Sequence, residues 1–134
     1  TIINALYKYG DALGVAFQIV DDLLDVVGDS RIIGKNNGDD FRERKLTLPF
    51  IKAISSCNQK EKDFWKRTIE KGDQTSEDFN IALELMQKYE AIERTRLDAL
   101  KWAKTAKNSL DAVPDNNIKI ILTNLADYVV DRVK

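Results

Sequence analysis

Gln18, Asp21, Asp22 and Asp25 are separated by intervals of three and four, so a helix carries them on one face. Asp11 and Gly14 extend that stripe toward the N-terminus. Asp21 and Asp25 would stand ~5–6 Å apart at their Cβ atoms. Two unit charges at that distance repel by about 3 kcal/mol at an effective dielectric near 20. No Lys or Arg lies between Lys8 and Arg31 to relieve them. Either the carboxylates are strongly solvated at an acidic helix end, or a multivalent cation sits among them. The chain has no histidine and one cysteine, so oxygen donors dominate and favour a hard ion, Mg²⁺ over zinc. The D-x-[DN]-x-[DN]-G loop and closing Glu of an EF-hand are absent.

Lys35, Arg42, Arg44 and Lys45 follow close in sequence. Mg²⁺ held by one or two carboxylates completes its shell with water and substrate phosphates. Lysines beside it neutralise the same phosphate oxygens as point charges. Carboxylates, metal and lysines beside apolar side chains describe a site for a diphosphate attached to a hydrophobic group. Taken alone, the loop lysines read as ordinary surface charge.

The elements that must position these residues are helices. Only Pro49 and Pro114 occur, and no sustained period-2 apolar alternation appears. Leu6, Leu13, Phe17, Val20, Leu24 and Val27 predict a helix over 3–27. Apolar residues flank its acidic stripe on both sides: Leu13, Phe17, Val20 and Leu24 on one, Val15, Ile19, Leu23 and Val26 on the other. That reverses the proportions of a surface helix and predicts burial, with the stripe facing an internal cavity. A polar, glycine-rich loop covers 28–45. Thr47 can cap a helix to Ser56 with Pro49 in its first turn. Asn58 can start another, carrying Phe64, Trp65 and Ile69 and stopped by Gly72.

Thr75 and Asp78 have capping-box spacing ahead of Phe79, Leu83 and Met86. A helix over 90–112 shows Ile92, Thr95, Ala99, Trp102, Ala106 and Leu110, and Pro114 lies just beyond it. Asp115 caps a last helix with Ile118, Leu122, Leu125 and Val129 facing inward. The expected architecture is one all-α domain over 1–134, a bundle of about six helices. Trp65, Trp102 and Met86 are expected in the core, with Cys57 as a small apolar filler. Asp63 with Arg67, Glu84 with Lys88 and Glu90 with Arg94 have i,i+4 spacing and read as solvated surface pairs.

Composition narrows the function classes. At 134 residues the chain can bury roughly two thirds of its unfolded surface. A formal net charge of -1 advertises neither nucleic acid nor an anionic membrane as partner. Cys57 alone excludes an intrachain disulfide and fits a reducing, cytoplasmic setting. The lack of histidine removes Ser-His-Asp triads and histidine-ligated zinc. No apolar run is long enough to span a bilayer. Thr1 opens on a helical pattern already under way, which reads as a piece of a longer chain or a processed product.

"FQIVDDLLD" followed by "GKNNGDDFRERKLTLP" resembles the second aspartate-rich motif and following loop of the trans-isoprenyl (polyprenyl) diphosphate synthases. The resemblance is greatest to long-chain, octaprenyl-type members. "YGDALGVAFQIVDDLLD", "LPFIKAI" and "LADYVVDRVK" share the family's character, whereas 55–90 is generic helix. The resemblance implies the all-α isoprenoid synthase fold and a homodimer. It further implies Mg²⁺-dependent condensation of an allylic prenyl diphosphate with isopentenyl diphosphate. Asp21 would ligate Mg²⁺, with Asp22 and Asp25 supporting the metal through water or hydrogen bonds. Gln18 would help position the allylic substrate, and Lys35 and Lys45 would contact its diphosphate. Asp40 is a supporting candidate in the G-K-x-x-G-x-D pattern, and Arg132 and Lys134 are C-terminal candidates for the diphosphate.

The family's first aspartate-rich motif and its residues for isopentenyl diphosphate are not found in this sequence. The chain therefore resembles the C-terminal part of a synthase, expected to be inactive alone and to bind Mg²⁺ weakly. Two alternatives share the pattern. A terpene cyclase of the same fold usually carries Asn, Ser and Glu in its second metal motif, and Asp21, Asp22 and Asp25 argue against it. A non-catalytic prenyl-diphosphate-binding subunit would fit half a metal site.

Overall fold

A computed structural model of the chain describes residues 1–28 and 37–134. Among these residues the structure is all-helical: α1 Ile2–Val27, α2 Asp39–Arg42, α3 Leu48–Ser56, α4 Gln59–Trp65, α5 Asp78–Lys88, α6 Ala91–Ser109 and α7 Asn117–Asp131. A π-helical turn at Lys66–Glu70 follows α4, and a 3₁₀ turn at Leu110–Ala112 follows α6. The helix beyond the six expected is α2, a single turn inside the polar loop, too short to show periodicity. Residues 1–21 and 96–134 form one compact unit, and 22–95 form another.

The first unit has a core of small side chains. Ala5, Tyr9, Ala12, Ala106, Leu110, Val113 and Ala126 are buried together, with Leu13 and Leu122 against them. Alanines let helix backbones approach closely, and Tyr9 Oη donates to the Leu122 carbonyl at 2.6 Å. Lys107 meets Asp127 at 2.7 Å, joining α6 to α7. The cap of α7 is Asn116, whose side chain accepts from the Lys119 N–H at 2.8 Å, one residue beyond the expected Asp115. The inward face of α7 matches expectation at Val129, which is buried, and at Leu122, which packs on the core, but not at Ile118 and Leu125. Ala126, Val129 and Val130 are buried, whereas Ile118 is 65% exposed and Leu125 44%. Trp102, expected in the core, is 38% exposed. Periodicity finds an apolar stripe, but α7 carries more than one, and the buried one includes the small Ala126.

The second unit is built on rings. Phe41, Phe50, Trp65, Ala53, Ala82, Met86, Ala91 and Val26 are buried, with Phe64, Phe79 and Cys57 packed on them. Phe41 stands 6.1 Å from Phe50, 6.5 Å from Trp65 and 6.0 Å from Phe79 between ring centroids. Asn58 and Glu61 form a reciprocal capping box on α4, each bond 2.9 Å. Thr47 occupies the N-cap position of α3 with Pro49 in the first turn, as predicted, but its side chain makes no capping bond. Asp78 accepts from the Thr75 N–H at 2.7 Å, although α5 itself begins only at Asp78.

Three cations expected in local pairs are engaged over longer range. Arg67 forks onto Asp78 at 2.9 and 3.0 Å. Lys88 meets Glu61 at 2.6 Å, and Arg94 donates to the Tyr89 carbonyl and Ser56 Oγ. Glu90 is not on a helix face: it has φ 55, in the turn before α6.

Candidate functional site

The stripe of α1 is a gradient of exposure. Gln18 and Asp21 are exposed, Asp22 is half-buried and Asp25 is fully buried. The expectation of an enclosed face therefore fails over the first part of the stripe in this chain; Phe17 beside it is also 53% exposed. Burial of Asp25 has a clear structural use. Its Oδ2 accepts the Asp40 N–H at 3.1 Å, and its own carbonyl accepts the Gly38 N–H at 2.9 Å. A buried carboxyl oxygen that accepts a backbone N–H costs less than one left without a donor. Asn37 Nδ2 adds a bond to the Gly28 carbonyl at 2.6 Å, so three hydrogen bonds join the end of α1 to the start of α2.

Gly38 makes this junction possible. Its φ of 94 lies in the left-handed region, and a Cβ there would sit 2.9 Å from the Phe79 ring. Arg42 lies over the same ring at 5.5 Å and bonds the Asn37 carbonyl at 2.9 Å. Phe41 anchors the other side of α2 in the aromatic core.

Lys45 is placed by this frame. Its N–H donates to the Asp40 carbonyl at 2.9 Å. Its ammonium pairs with Glu43 at 2.8 Å and lies 3.9 Å from Asp40. The hydrogen bond and charge of Glu43 raise its pKa, against a small desolvation effect, with Asp40 and Asp25 adding to the rise. Lys45 is thus a firmly protonated, largely exposed cation beside a carboxylate-lined helix end. Lys35 lies outside the described residues. Lys134, the C-terminal candidate, pairs with Asp131 at 3.1 Å.

These donors are carboxylate oxygens. Among the described residues no three His, Cys, Asp or Glu side chains converge as a ready metal cage. The arrangement suits a hard divalent ion held by one or two carboxylates and completed by water and phosphate oxygens. Sequence reasoning missed the Asp25–Asp40 link, a bond across 15 residues; the signal was a third aspartate amid Leu23, Leu24 and Val26, with no room for solvent.

Comparison with known proteins fits this geometry. A short chain isoprenyl diphosphate synthase of Methanothermobacter thermautotrophicus is 35% identical over 97% of this chain and 39% of its own length. Among solved structures, a decaprenyl diphosphate synthase from Rhodobacter capsulatus superposes with a TM-score of 0.92 at 56% identity, covering 98% of this chain and 41% of that one. A polyprenyl synthase from Caulobacter crescentus, complexed with calcium and isoprenyl diphosphate, gives 0.89 at 43% identity, covering 98% and 40%. The chain thus spans about two fifths of the length of these relatives. The profile of the family described as "Polyprenyl synthetase" matches residues 1–86. With the match covering more than half its length, and the acidic stripe and Asp25-anchored loop inside it, the chain belongs to the polyprenyl synthetase family.

Proposed function

We propose that this chain forms the C-terminal part of a trans-polyprenyl diphosphate synthase domain and supplies the half of its site that holds the allylic diphosphate. The reaction is condensation of an allylic prenyl diphosphate with isopentenyl diphosphate, with release of diphosphate, in a cytoplasmic homodimer. The observation that carries this reading is the run of Gln18, Asp21, Asp22 and buried Asp25, whose last carboxylate fixes the turn leading to Lys45.

Mg²⁺ fits the oxygen donors, and Asp21, with Asp22 and Asp25 in support, would hold it. When bound it supplies positive charge to the oxygens of the leaving diphosphate. Exposed Asp21 is free of the structural duty that occupies Asp25. Asp25 acts by holding the Asp40 backbone in place. Lys45 and Lys35 neutralise the charge that develops as the allylic C–O bond breaks. Gln18 orients the substrate through its amide. The double bond of isopentenyl diphosphate then attacks the allylic carbon, and the released diphosphate accepts the proton lost, so no histidine is needed.

The test is Mg²⁺-dependent incorporation of isopentenyl diphosphate into a prenyl product. It is run on this chain and on the chain with any coding sequence upstream of Thr1. Activity confined to the longer form is expected, and there Asp21→Ala lowers turnover by about 100-fold or more. A near-normal rate for Asp21→Ala would sink the metal assignment. Activity in neither form would favour a non-catalytic subunit that binds prenyl diphosphate.

A further inference from the structure

Arg44 is a non-glycine residue with φ 64, in the left-handed region that L side chains rarely adopt. Its side chain reaches 25 residues along the chain, where Nε donates to the Ile69 carbonyl at 2.8 Å and Nη2 donates to the Glu70 carbonyl. Both carbonyls belong to the π-helical turn, whose wide i→i−5 closure is seen in the Lys71 N–H bond to the Lys66 carbonyl. Helix ends leave carbonyls without intrahelical partners, and a guanidinium fork can take two.

Gly72 leaves the room for that fork. A Cβ on it would lie 2.9 Å from Arg44 Nη1, 3.1 Å from Cζ and 3.2 Å from Nε. Gln74 adds a second stitch between the same segments, donating to the Phe41 and Thr68 carbonyls at 3.0 and 2.9 Å. The residue immediately after Arg44 is Lys45.

We propose that Arg44 is a positioning residue for Lys45. By clamping onto the end of the π-helical turn in the space left by Gly72, it holds the left-handed backbone that aims Lys45 at the substrate diphosphate. The proposal rests on the reading of Lys45 as a diphosphate ligand. It makes segment 66–74, far from the acidic stripe in sequence, part of what sets diphosphate affinity.

The test uses amide hydrogen exchange and titration with inorganic diphosphate in the presence of Mg²⁺, both followed by NMR on this chain. Arg44→Ala is expected to reduce protection of the Lys45 amide about tenfold while amides of α7 are unchanged. At the Lys45 amide, Gly72→Ala should reproduce that loss but add little in the Arg44→Ala background, since its effect there runs through Arg44; the strain of alanine at φ 74 is read separately, at the amides beside residue 72. Lys45→Ala is expected to weaken diphosphate binding about tenfold. Arg44→Ala should weaken it too, but not further once Lys45 is alanine. Should Arg44→Ala unfold the unit, Arg44→Lys, which keeps one of the two bonds, carries the same tests with an intermediate loss.

Unchanged exchange at Lys45, or full additivity of Arg44→Ala with either Gly72→Ala or Lys45→Ala, overturns the proposal. If Lys45→Ala leaves diphosphate binding intact, the reading of Lys45 as a ligand, and with it the aim of the clamp, is what fails. The exchange data still decide whether Arg44 holds the turn.

Discussion

The two units solve the same problem with different materials. Unit 22–95 closes around interlocked rings and long-range polar bonds. The unit of residues 1–21 and 96–134 closes around alanines, while large apolar side chains such as Ile3, Ile118, Ile121 and Tyr128 stay open to solvent. Small residues bring backbones close but bury little area each, and apolar stabilisation scales with area at about 25 cal/mol per Å². A ring core therefore gives one unit more stabilisation per contact. The alanine core makes the other depend on close helix approach.

That contrast can be attacked where it is largest. Phe41→Ala removes the ring that touches Phe50, Trp65 and Phe79, and is expected to destabilise unit 22–95 by about 3–5 kcal/mol. Removing the Ile118 side chain in the other unit should cost no more than about 0.5 kcal/mol. Denaturant melts read by Trp65 in a Trp102→Phe background and by Trp102 in a Trp65→Phe background separate the two. Equal losses would dissolve the distinction.

The glycines give the next contrast. Gly38→Ala meets the Phe79 ring and keeps an unfavourable φ, so a loss of about 1–3 kcal/mol is expected. Gly10, inside α1 with nothing within 4 Å of where a Cβ would stand, behaves oppositely. Gly10→Ala should stabilise by about 0.5–1 kcal/mol. Both are read from the midpoint of chemical denaturation.

Acid provides a smaller probe between these. The Arg67 fork holds the Asp78 carboxyl at about 2, below its ordinary value, against the opposing effect of burial. Lys88, then Tyr89 and the Asn58 N–H, hold that of Glu61 at about 2. A depressed carboxylate pKa stabilises above the unfolded value and is lost as pH falls through the folded one. Stability of unit 22–95 should therefore decline from about pH 4.5 to about pH 2. Asp78 contributes on the order of 1–2 kcal/mol, since Arg67 is partly solvated. Asp78→Asn should flatten that decline in Trp65 emission; an unchanged acid profile would remove the fork from the account.

Helix ends were the most legible feature of the sequence, because caps are local. Asn58 and Glu61 cap each other across three positions, and Pro49 sits in the first turn after Thr47. Faces were less legible. Ile118, Ile120, Ile121, Leu122 and Leu125 offer overlapping stripes; Leu122 and Val129 face the core as expected, but Ala126 and Val130 take the places expected for Ile118 and Leu125. Charges followed the same logic: Arg67 prefers a bidentate fork on buried Asp78 to a solvated local pair. Of the candidate site, the acidic stripe was readable from spacing. The turn at Gly38–Lys45 was not, because its bonds to Asp25, Ile69 and Glu70 span 15, 25 and 26 residues.

The discontinuity of the alanine-cored unit bears on the order in which the chain acquires structure. The Tyr9 bond to the Leu122 carbonyl spans 113 residues, and the first part of α1, up to Asp21, packs on segment 96–134. Residues 22–95 are contiguous and can collapse as soon as they have been synthesised. Loop-closure entropy rises only slowly with length, but a non-local pairing must bear it before any contact rewards it. During translation Ala5, Tyr9 and Ala12 therefore meet Ala126 of the last helix only after it has emerged. The ring-cored segment by then already has its own interior.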